Sequence, residues 1–592
     1  MELLKSGINK HPYFSVFSLW LILFCAFGRF QIEGVTVFNY LSVVIFASIY
    51  LIAEKRNIKK KIKDEKNREA VFKKTALTVL LVSVYILLTL LVFSVTPSNL
   101  AIQSRNDFVP FAFLLAALIG YALYLCIKRK WSTEKIIMVI FLLGVITHLF
   151  YISYTDFNVR QNDIGFFQKN SVEHLGYVEC IYRTGLPPQT DPSLSTEYNI
   201  NQFYHPPLYH YLLAILLRMQ TLCGVDIKIA IYNIQYIGLL CYMILLAAMY
   251  EMIKEFQIKK TAQCCSFAVI TFVPTFFYMS GLVNNDFLCL IFQTLALLYT
   301  IKWYKNQKAK NIVKIALFFG LGMFTKLSAW MAAVPIAVIF ITALFKKLMA
   351  SDKKEFFRLF GQMWGFLGVA APLSLYWSFR NYFRFGLPFG YVPQAIDSYD
   401  GISQLADRPL IERLFDFSLW QFQNPYPCSM PMGSDYNEFN PLIGLMKTAS
   451  TGYTSFAYDN ILFGQIILWA NAVMMLLAFI CMIVVLIKKD SIPVLWKVFF
   501  VSFYLVIIVS YYIFCIKFPY PSTEHIRYAS PVIMIGAFFT GYAIKDIFTA
   551  KTKTNKIMKN TIIAIVSLFC LASLVYFIHM GYYTTFVYHF EF

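Results

Sequence analysis

The chain alternates long apolar runs with short polar segments, and this alternation runs through its whole length. A transmembrane helix needs about 20 mainly apolar residues, so the pattern predicts an all-α polytopic membrane protein with about fifteen spans. No internal repeat is visible. The predicted spans are 12–30, 35–53, 75–96, 109–127, 136–153, 228–250, 262–280, 287–303, two short helices within 312–345, 361–379, 461–486, 498–516, 529–546 and 561–580.

The charges between these runs predict the orientation of the protein. Loop 54–74 holds ten Lys or Arg residues against four acids, and short cytoplasmic loops carry such an excess. Placing that loop inside puts segment 154–205 outside, where three basic residues face six acidic ones. The predicted outer loops are 154–227, 380–460 and 517–528. The sequence therefore predicts a multi-pass plasma-membrane protein whose functional surface lies outside the cytoplasm.

One apolar run is too short to fit this scheme as a span. Residues 207–219 are only thirteen in number, and counting them as a crossing would place the basic segment 251–260 outside. We therefore expect 207–219 to be an interfacial helix on the outer membrane face.

A second run, 312–345, is apolar throughout but has lysines at both ends. Both ends then belong inside, so the run must be two short helices that turn near Thr325 and Lys326. This prediction puts Lys326 near the outer face but inside the protein. A lysine at that depth is costly unless it is paired or faces a polar cavity.

Composition excludes several classes of protein. The chain is 58% hydrophobic and 14% charged, whereas soluble domains have about 45–50% apolar and about 25% charged residues. The net charge of +20 does not indicate a nucleic-acid partner, because the cations cluster in short loops between spans. Twelve cysteines occur without a CxxC motif, which argues against zinc and redox sites.

The outer segment after the fifth span carries the densest candidate chemistry. Asp156 and Asp163 follow the span directly. A helix-like piece from Val172 to Thr184 comes next, and His205-Pro-Pro-Leu then opens the interfacial helix, where proline suits the first helical turn.

These motifs resemble the GT-C superfamily of membrane glycosyltransferases, which use polyprenyl-phosphate sugars as donors. The similarity is greatest to the branch of protein O-mannosyltransferases and lipid A aminoarabinose transferases. In that superfamily an Asp in the first outer loop is the catalytic base, and a His- or Lys-Pro-Pro-Leu segment faces the lipid phosphate. The matching residues here are Asp163 and His205. Further matching segments are 280–286, 324–327, 380–391 and 525–531.

The resemblance covers about residues 136–592, so it implies two parts. Residues 1–130 form an N-terminal extension of four spans, and residues 131–592 form the GT-C-like catalytic membrane domain. One feature departs from the family pattern: an acidic doublet is frequent there, whereas Asp163 stands between Asn162 and Ile164.

The implied function is transfer of a monosaccharide from a polyprenyl-phosphate donor to an extracytoplasmic acceptor (glycan, lipid or protein) with inversion. Such transfer passes through an oxocarbenium-like transition state and needs one carboxylate as base. The leaving lipid phosphate gathers negative charge and needs cations. His205, Lys326 and Arg527 are predicted to hold the phosphate. Further substrate-binding candidates are Arg160, Glu173, His174, Asp286, Arg380 and His525, with Arg384 weaker. A divalent metal ion is left open as a cofactor, without assigned ligands.

Each of these residues also has a plainer interpretation. Asp163 could be an ordinary loop acid and Asp156 a capping or interfacial acid. Glu173 with His174 could be a structural pair, or contact the acceptor or a metal. The other plain readings are helix caps or anchors: His205 as a cap, Asp286 as an acid favoured by the helix dipole, and Arg527 as an interfacial anchor.

Two other functions are compatible with the same pattern of spans. An O-antigen polymerase or ligase would share the outer loop but use a lipid-diphosphate donor. A transporter or lipid-sugar flippase is the non-enzymatic alternative. The absence of repeats, and of matched broken helices at the midplane, argues against it.

Overall fold

The computed structural model describes residues 109–127, 131–155, 160–161, 173–194, 202–393, 408–427, 440–452, 461–489, 491–519, 523–547 and 552–586. Helices make up this part of the chain, and no strand occurs within it. The α-helices are α1 (Val109–Ile127), α2 (Thr133–Tyr154), α3 (His174–Thr184), α4 (Leu208–Leu222), α5 (Ile227–Ile234), α6 (Ile237–Glu255), α7 (Lys260–Phe272), α8 (Pro274–Gly281), α9 (Asp286–Asn306), α10 (Ala309–Met323), α11 (Ala333–Met349), α12 (Lys353–Phe385), α13 (Leu410–Phe415), α14 (Pro441–Thr451), α15 (Ile461–Ile487), α16 (Val494–Lys517), α17 (Pro531–Ile547) and α18 (Lys553–Phe586).

Seven helical segments of the described chain are long and apolar enough to cross a membrane. An eighth is added if α7 and α8, bent by 45° at their junction, count as one span. Pro274 opens α8 and lacks the N–H that a continuous helix would need, which explains the break. The all-α polytopic membrane fold is confirmed. The total of about fifteen stays a prediction, and spans 12–30, 35–53 and 75–96 lie outside the described residues.

The lysine-flanked run 312–345 folds as the charge pattern predicts. Helix α10 ends at Met323, Lys326 lies in the turn, and a 3-10 turn, Leu327–Ala332, leads into α11. The apolar run 207–219 forms α4 of fifteen residues, with Pro207 at its N-cap. The helix-like piece in the outer segment is α3, which ends at Thr184 as predicted.

One continuous hydrophobic core holds α2 to α12 and α14 to α18 together. Helix α9 packs against α10, and α10 against α12, in the most extensive helix pairs, while α17 packs on α7 and α15. Aromatic side chains fill much of this core, among them the fully buried Trp303, Phe276 and Phe499.

The two ends of this bundle differ in their polar side chains. At one end lie the starts of α3, α4 and α9, the turn after α10 and the 3-10 turn Ile526–Ala529 before α17; we call this the histidine end. At the other end lie the last turns of α6, α9, α11 and α17, where lysines are frequent; we call this the lysine end. The histidine end holds the predicted site residues.

Candidate functional site

A buried ion cluster occupies the histidine end. The Lys326 Nζ lies 2.6 Å from Asp286 Oδ1, and the Arg527 Nε lies 4.0 Å from Asp286 Oδ2. The three side chains are at most 10% exposed. Two cations thus share one carboxylate, which leaves a net positive charge of one. The sequence predicted that Lys326 needs a partner or a polar cavity, and the partner is Asp286.

The positions of Asp286 and Lys326 follow from their helices. Asp286 is the first residue of α9, and its backbone N–H donates to the Asn284 Oδ1 at 2.8 Å. The neighbouring Asn285 amide donates to the Thr325 carbonyl, 3.3 Å away. The start of α9 is therefore tied to the turn that carries Lys326. Asp286 lies at a helix start, where the helix dipole favours an acid, and it also pairs with a cation of the candidate site.

Tyr528 gives both cations a shared aromatic surface. The Lys326 Nζ lies 5.2 Å and the Arg527 guanidinium 4.9 Å from the centre of its ring. Arg527 also donates to the Tyr528 hydroxyl at 2.9 Å. His525 Nδ1 accepts from the Arg527 backbone N–H at 2.9 Å. Arg527 is thus held by its own short segment and is not a loose interfacial anchor.

Three further histidines form a stacked group, which we call the histidine column: His174, His205 and His210. The His174 and His205 rings are nearly parallel, 3° apart, with centres 6.1 Å apart. His174 and His210 stack with centres 5.2 Å apart, and His174 Nδ1 lies 2.9 Å from His210 Nε2. Tyr177 stacks on His210 with centres 3.9 Å apart. With His525, four of the six histidines in the described part of the chain lie at this end.

The backbone around His205 is fixed from three sides. The Tyr177 hydroxyl donates to the His205 carbonyl at 3.1 Å. The Leu208 N–H donates to the Phe324 carbonyl at 3.2 Å, and the Trp377 Nε1 donates to the Tyr204 carbonyl at 2.9 Å. The His-Pro-Pro-Leu segment therefore lies beside the turn that carries Lys326. Since Pro207 is the N-cap of α4, His205 does not act as a cap.

Burial and charge together keep these histidines neutral. Burial lowers the pKa of His174, His205 and His525 well below the usual value, and the charges of Lys326 and Arg527 lower it further. For His210, burial and the neighbouring His174 lower the pKa. The histidine end therefore combines fixed cations with neutral imidazoles that can donate or accept hydrogen bonds.

Comparison with known proteins agrees with the resemblance seen in the motifs. Residues 204–377 match the family model described as dolichyl-phosphate-mannose-protein mannosyltransferase. The matched stretch includes His205, Asp286 and Lys326. The predicted resemblance to the GT-C superfamily is confirmed.

A solved GT-C structure is also similar, at a low level. It is the crystal structure of the Archaeoglobus fulgidus oligosaccharyltransferase in complex with zinc and sulfate, with 12% identity and a TM-score of 0.40. The alignment covers 75% of the present chain and 53% of that one, so the chain spans about half of its length. No curated protein matches the sequence.

Two other candidate residues of the GT-C region have contacts of their own. Arg160 is buried and donates to the carbonyls of Ile152, Thr155 and Gly281 and to the Gln235 side chain. These contacts anchor the end of α2 and favour a structural role.

Arg380 donates to the Pro188 carbonyl and lies 4.4 Å from the centre of the Trp377 ring. Arg384 binds the Gln189 side chain. Both arginines thus hold the loop after α3. Glu173 directly precedes α3 as its N-cap residue, beside His174. Asp163 and Asp156 lie outside the described residues, so their roles stay predictions.

Sequence reasoning missed several residues at this end. His210 lies five residues after His205 in an apolar stretch and was counted as part of the helix, although the pair of histidines was a usable signal. Tyr528, beside Arg527, was also overlooked. Lys447 and Glu524 are at most 2% exposed. Helix α14, which carries Lys447, packs so closely that a Cβ added at Gly444 would lie 2.7 Å from the Glu524 Cβ.

The described residues do not fit a metal centre. Among them, no group of three or more His, Cys, Asp or Glu side chains is arranged to hold an ion. Asp156 and Asp163 lie outside this part of the chain, so the divalent metal ion that the sequence leaves open stays open.

Proposed function

We propose that the protein is a GT-C glycosyltransferase that moves a monosaccharide from a polyprenyl-phosphate donor to an extracytoplasmic acceptor, with inversion at the anomeric carbon. The buried cluster of Lys326, Asp286 and Arg527 carries this proposal. Buried charges cost several kcal/mol of stability each, and, unlike the donors of buried Arg160, the cations Lys326 and Arg527 converge on one carboxylate.

The charge of the cluster suits a phosphodiester. Asp286 compensates one of the two cations, and the remaining positive charge matches the single negative charge of a sugar–phosphate–lipid diester. As the sugar leaves, negative charge develops on the phosphate oxygen, where fixed cations stabilise it most. Lys326 and Arg527 supply these cations, and His205 supplies a neutral hydrogen-bonding ring beside them.

Asp163 is the proposed base, and the contacts of Gln161 support it. The Gln161 side chain donates to the Gly281 carbonyl at 2.7 Å and accepts from the Val283 N–H at 2.8 Å. This ties residue 161 to the segment that leads into Asp286. Asp163 follows Gln161 by two residues in the sequence. The Asp163 carboxylate would take the proton of the acceptor hydroxyl.

An apolar cavity beside the cluster supports a lipid donor. It has a volume of about 120 Å³ and lies between α7, α15 and α17. Ile526, between His525 and Arg527, lines it together with Val273, Met474, Met482 and Phe569. Met474, Met475 and Met482 give this cavity adaptable apolar walls, which suit a lipid chain.

The decisive experiment is extraction of the lipid pool from cells that lack the protein. We expect a polyprenyl-phosphate monosaccharide to accumulate, and its sugar would name the donor. Accumulation of a lipid-diphosphate glycan instead would favour the polymerase or ligase alternative. An unchanged lipid pool would contradict a transferase of either kind.

A further inference from the structure

The histidine column can bind a proton, and contact with a phosphate does not by itself require this property. His174 and His210 face each other at 2.9 Å through one ring nitrogen each. A neutral imidazole has one donor and one acceptor nitrogen, so a single hydrogen lies between these two rings. The Nδ1 atoms of His205 and His210 are buried and have no hydrogen-bond partner in the described part of the chain.

Such a pair can accept one proton but not two. An imidazolium that donates to a neutral imidazole makes a charge-assisted hydrogen bond. A second proton would place two like charges in contact, which strongly disfavours ionisation of the second ring. Burial, and then the charges of Lys326 and Arg527, lower the pKa of His174, which acts against even the first proton.

The reaction changes the charge that the site must hold; this step rests on the proposed function. The donor is a phosphodiester with one negative charge. The product is a phosphomonoester, whose second ionisation has a pKa of about 6, so it carries close to two negative charges at neutral pH. The ion cluster supplies a net positive charge of one. Once the base has released the proton that it took from the acceptor, one negative charge is therefore left uncompensated in a buried site.

We propose that the His174–His210 pair takes up one proton when the phosphodiester becomes a phosphomonoester, so that the product is held with balanced charge. The bond between C1 of the sugar and the phosphate oxygen breaks, and its electron pair stays on that oxygen. The acceptor oxygen bonds to C1 and its proton passes to the base. The base then releases this proton and the histidine pair gains one, so the protons balance.

The groups around the column set the sign of this coupling. Those that face it from the neighbouring elements are Lys326 after α10, Asp286 on α9, His525 and Arg527 before α17, Tyr177 on α3, and Tyr204, His205 and Tyr209 at the start of α4. Without product, burial and the charges of Lys326 and Arg527 oppose protonation of His174. A bound dianion reverses that balance, so product binding strengthens as pH falls.

Proton uptake on binding can be measured directly with the full-length protein in nanodiscs. Titration calorimetry in two buffers of different ionisation enthalpy gives the number of protons taken up. The probes are farnesyl phosphate, a monoester, and farnesyl methyl phosphate, a diester. At about pH 7.5 we expect an uptake of about one proton with the monoester and close to none with the diester.

Histidine variants show whether the proton goes to the column or to the phosphate itself. In His210→Asn, monoester binding should persist with its proton uptake reduced to near zero, while diester affinity changes less than about threefold. His174→Gln is the second test should the first variant fail to fold. His579→Gln, a half-buried ring that stacks on Phe463 with centres 3.9 Å apart, is the control and should keep the uptake.

The outcomes are distinct. Monoester binding without proton uptake in the wild type overturns the inference and leaves the proposed function standing. Uptake that persists in both His210→Asn and His174→Gln also overturns it, because the proton then goes elsewhere. Failure of the wild type to bind either probe overturns the proposed function and the inference with it.

Discussion

Ion pairs occur at both ends of the helix bundle, but in opposite surroundings. At the lysine end, Lys302 lies 3.3 Å from Glu251 and Lys305 lies 2.7 Å from Glu255, with side chains 24–40% exposed. Lys545 donates to the Phe256 carbonyl that follows α6. At the histidine end, the three charged side chains of the ion cluster are 6–10% exposed.

This difference separates charges that the fold carries at little cost from charges that are costly to bury. Exposed ion pairs contribute about 0–1 kcal/mol each, and lysines at helix C-termini complement the helix dipole. These charges at the lysine end therefore cost the fold little stability. A buried pair costs more in desolvation than such contacts return, and removing one partner destabilises by about 3–5 kcal/mol. The histidine end is therefore the end at which buried charge costs stability, as the proposed donor site would require.

The largest expected effect concerns the side of the membrane on which each end lies, because a site is either accessible to an impermeant label or not. Single-cysteine labels or tags in 54–74 and 545–560 should be reachable only from the cytoplasm. Those in 184–200 and 400–450 should be reachable only from outside. Membrane-impermeant labelling of intact cells measures this. A cytoplasmic 400–450 would place both ends on the wrong sides and remove the basis for the catalytic assignment.

Asp163→Asn should reduce turnover by roughly 10²–10⁴, the usual scale for loss of a general base. Size and most hydrogen bonding are kept, so binding of the donor should persist, since other residues contact the phosphate. Turnover with the donor identified by lipid extraction is the measurement, and the product should have inverted configuration at C1.

Asp156→Asn is the matched control and should cost far less. A greater loss of turnover in Asp156→Asn than in Asp163→Asn would identify Asp156, seven residues earlier, as the base. It would leave the GT-C assignment unchanged. Retained configuration at C1 would contradict single displacement.

Lys326→Met should weaken binding of farnesyl phosphate about 10- to 100-fold, since hydrogen bonds to charged groups contribute about 1.5–3 kcal/mol. It also leaves Asp286 with only Arg527 at 4.0 Å, so thermal stability should fall. Adding Asp286→Asn should restore stability without restoring binding. Binding calorimetry and thermal unfolding separate the two effects.

Lys302→Met is the corresponding change at the lysine end. It removes an exposed pair, so stability should change by less than about 1 kcal/mol and binding should not change. The contrary outcome is that Lys326→Met lowers only the amount of folded protein, while the remaining protein binds farnesyl phosphate normally. The buried pair would then be structural, and the two ends would not differ in ligand binding.

Gly444→Ala should give a smaller effect at the histidine end. The new Cβ would lie 2.7 Å from the Glu524 Cβ, next to the segment that carries His525 and Arg527. Overpacking of this kind costs about 1–3 kcal/mol, and the displaced segment should reduce farnesyl phosphate affinity by less than about tenfold. Gly361→Ala on α12 is the control, because no atom lies within 4 Å of its Cβ position. A larger loss of stability in Gly361→Ala than in Gly444→Ala would contradict this account of the packing.

The sequence predicted structural features correctly where the energetic cost of placing a residue can be inferred from its neighbours in the chain. The turn at Thr325 and Lys326 followed from lysines at both ends of one apolar run, and the need of Lys326 for a partner followed from its depth. The partner itself, Asp286, could not be identified, because the contact joins separate helices and depends on how α9 packs on α10. Charge and length patterns carry no such information.

The histidine column shows the same limit more strongly. His174 and His205 were found through their motif, but His210 lies in a stretch whose apolar pattern explains it fully as α4. Only the packing of α3 on α4 brings His174 within 2.9 Å of it. Arg160 shows the reverse case: its loop position indicated a ligand contact, whereas its observed hydrogen bonds are to neighbouring carbonyls and Gln235.

The Asp286–Lys326 contact also has a consequence during biosynthesis. A lone lysine or aspartate entering the bilayer is costly, but these two residues begin and end one hairpin of consecutive helices, α9 and α10. They can therefore leave the translocon as a neutral pair, long before Arg527 has been synthesised. The positive charge of Arg527 is then added only when α17 docks, so the charge cluster is completed once the bundle is nearly complete.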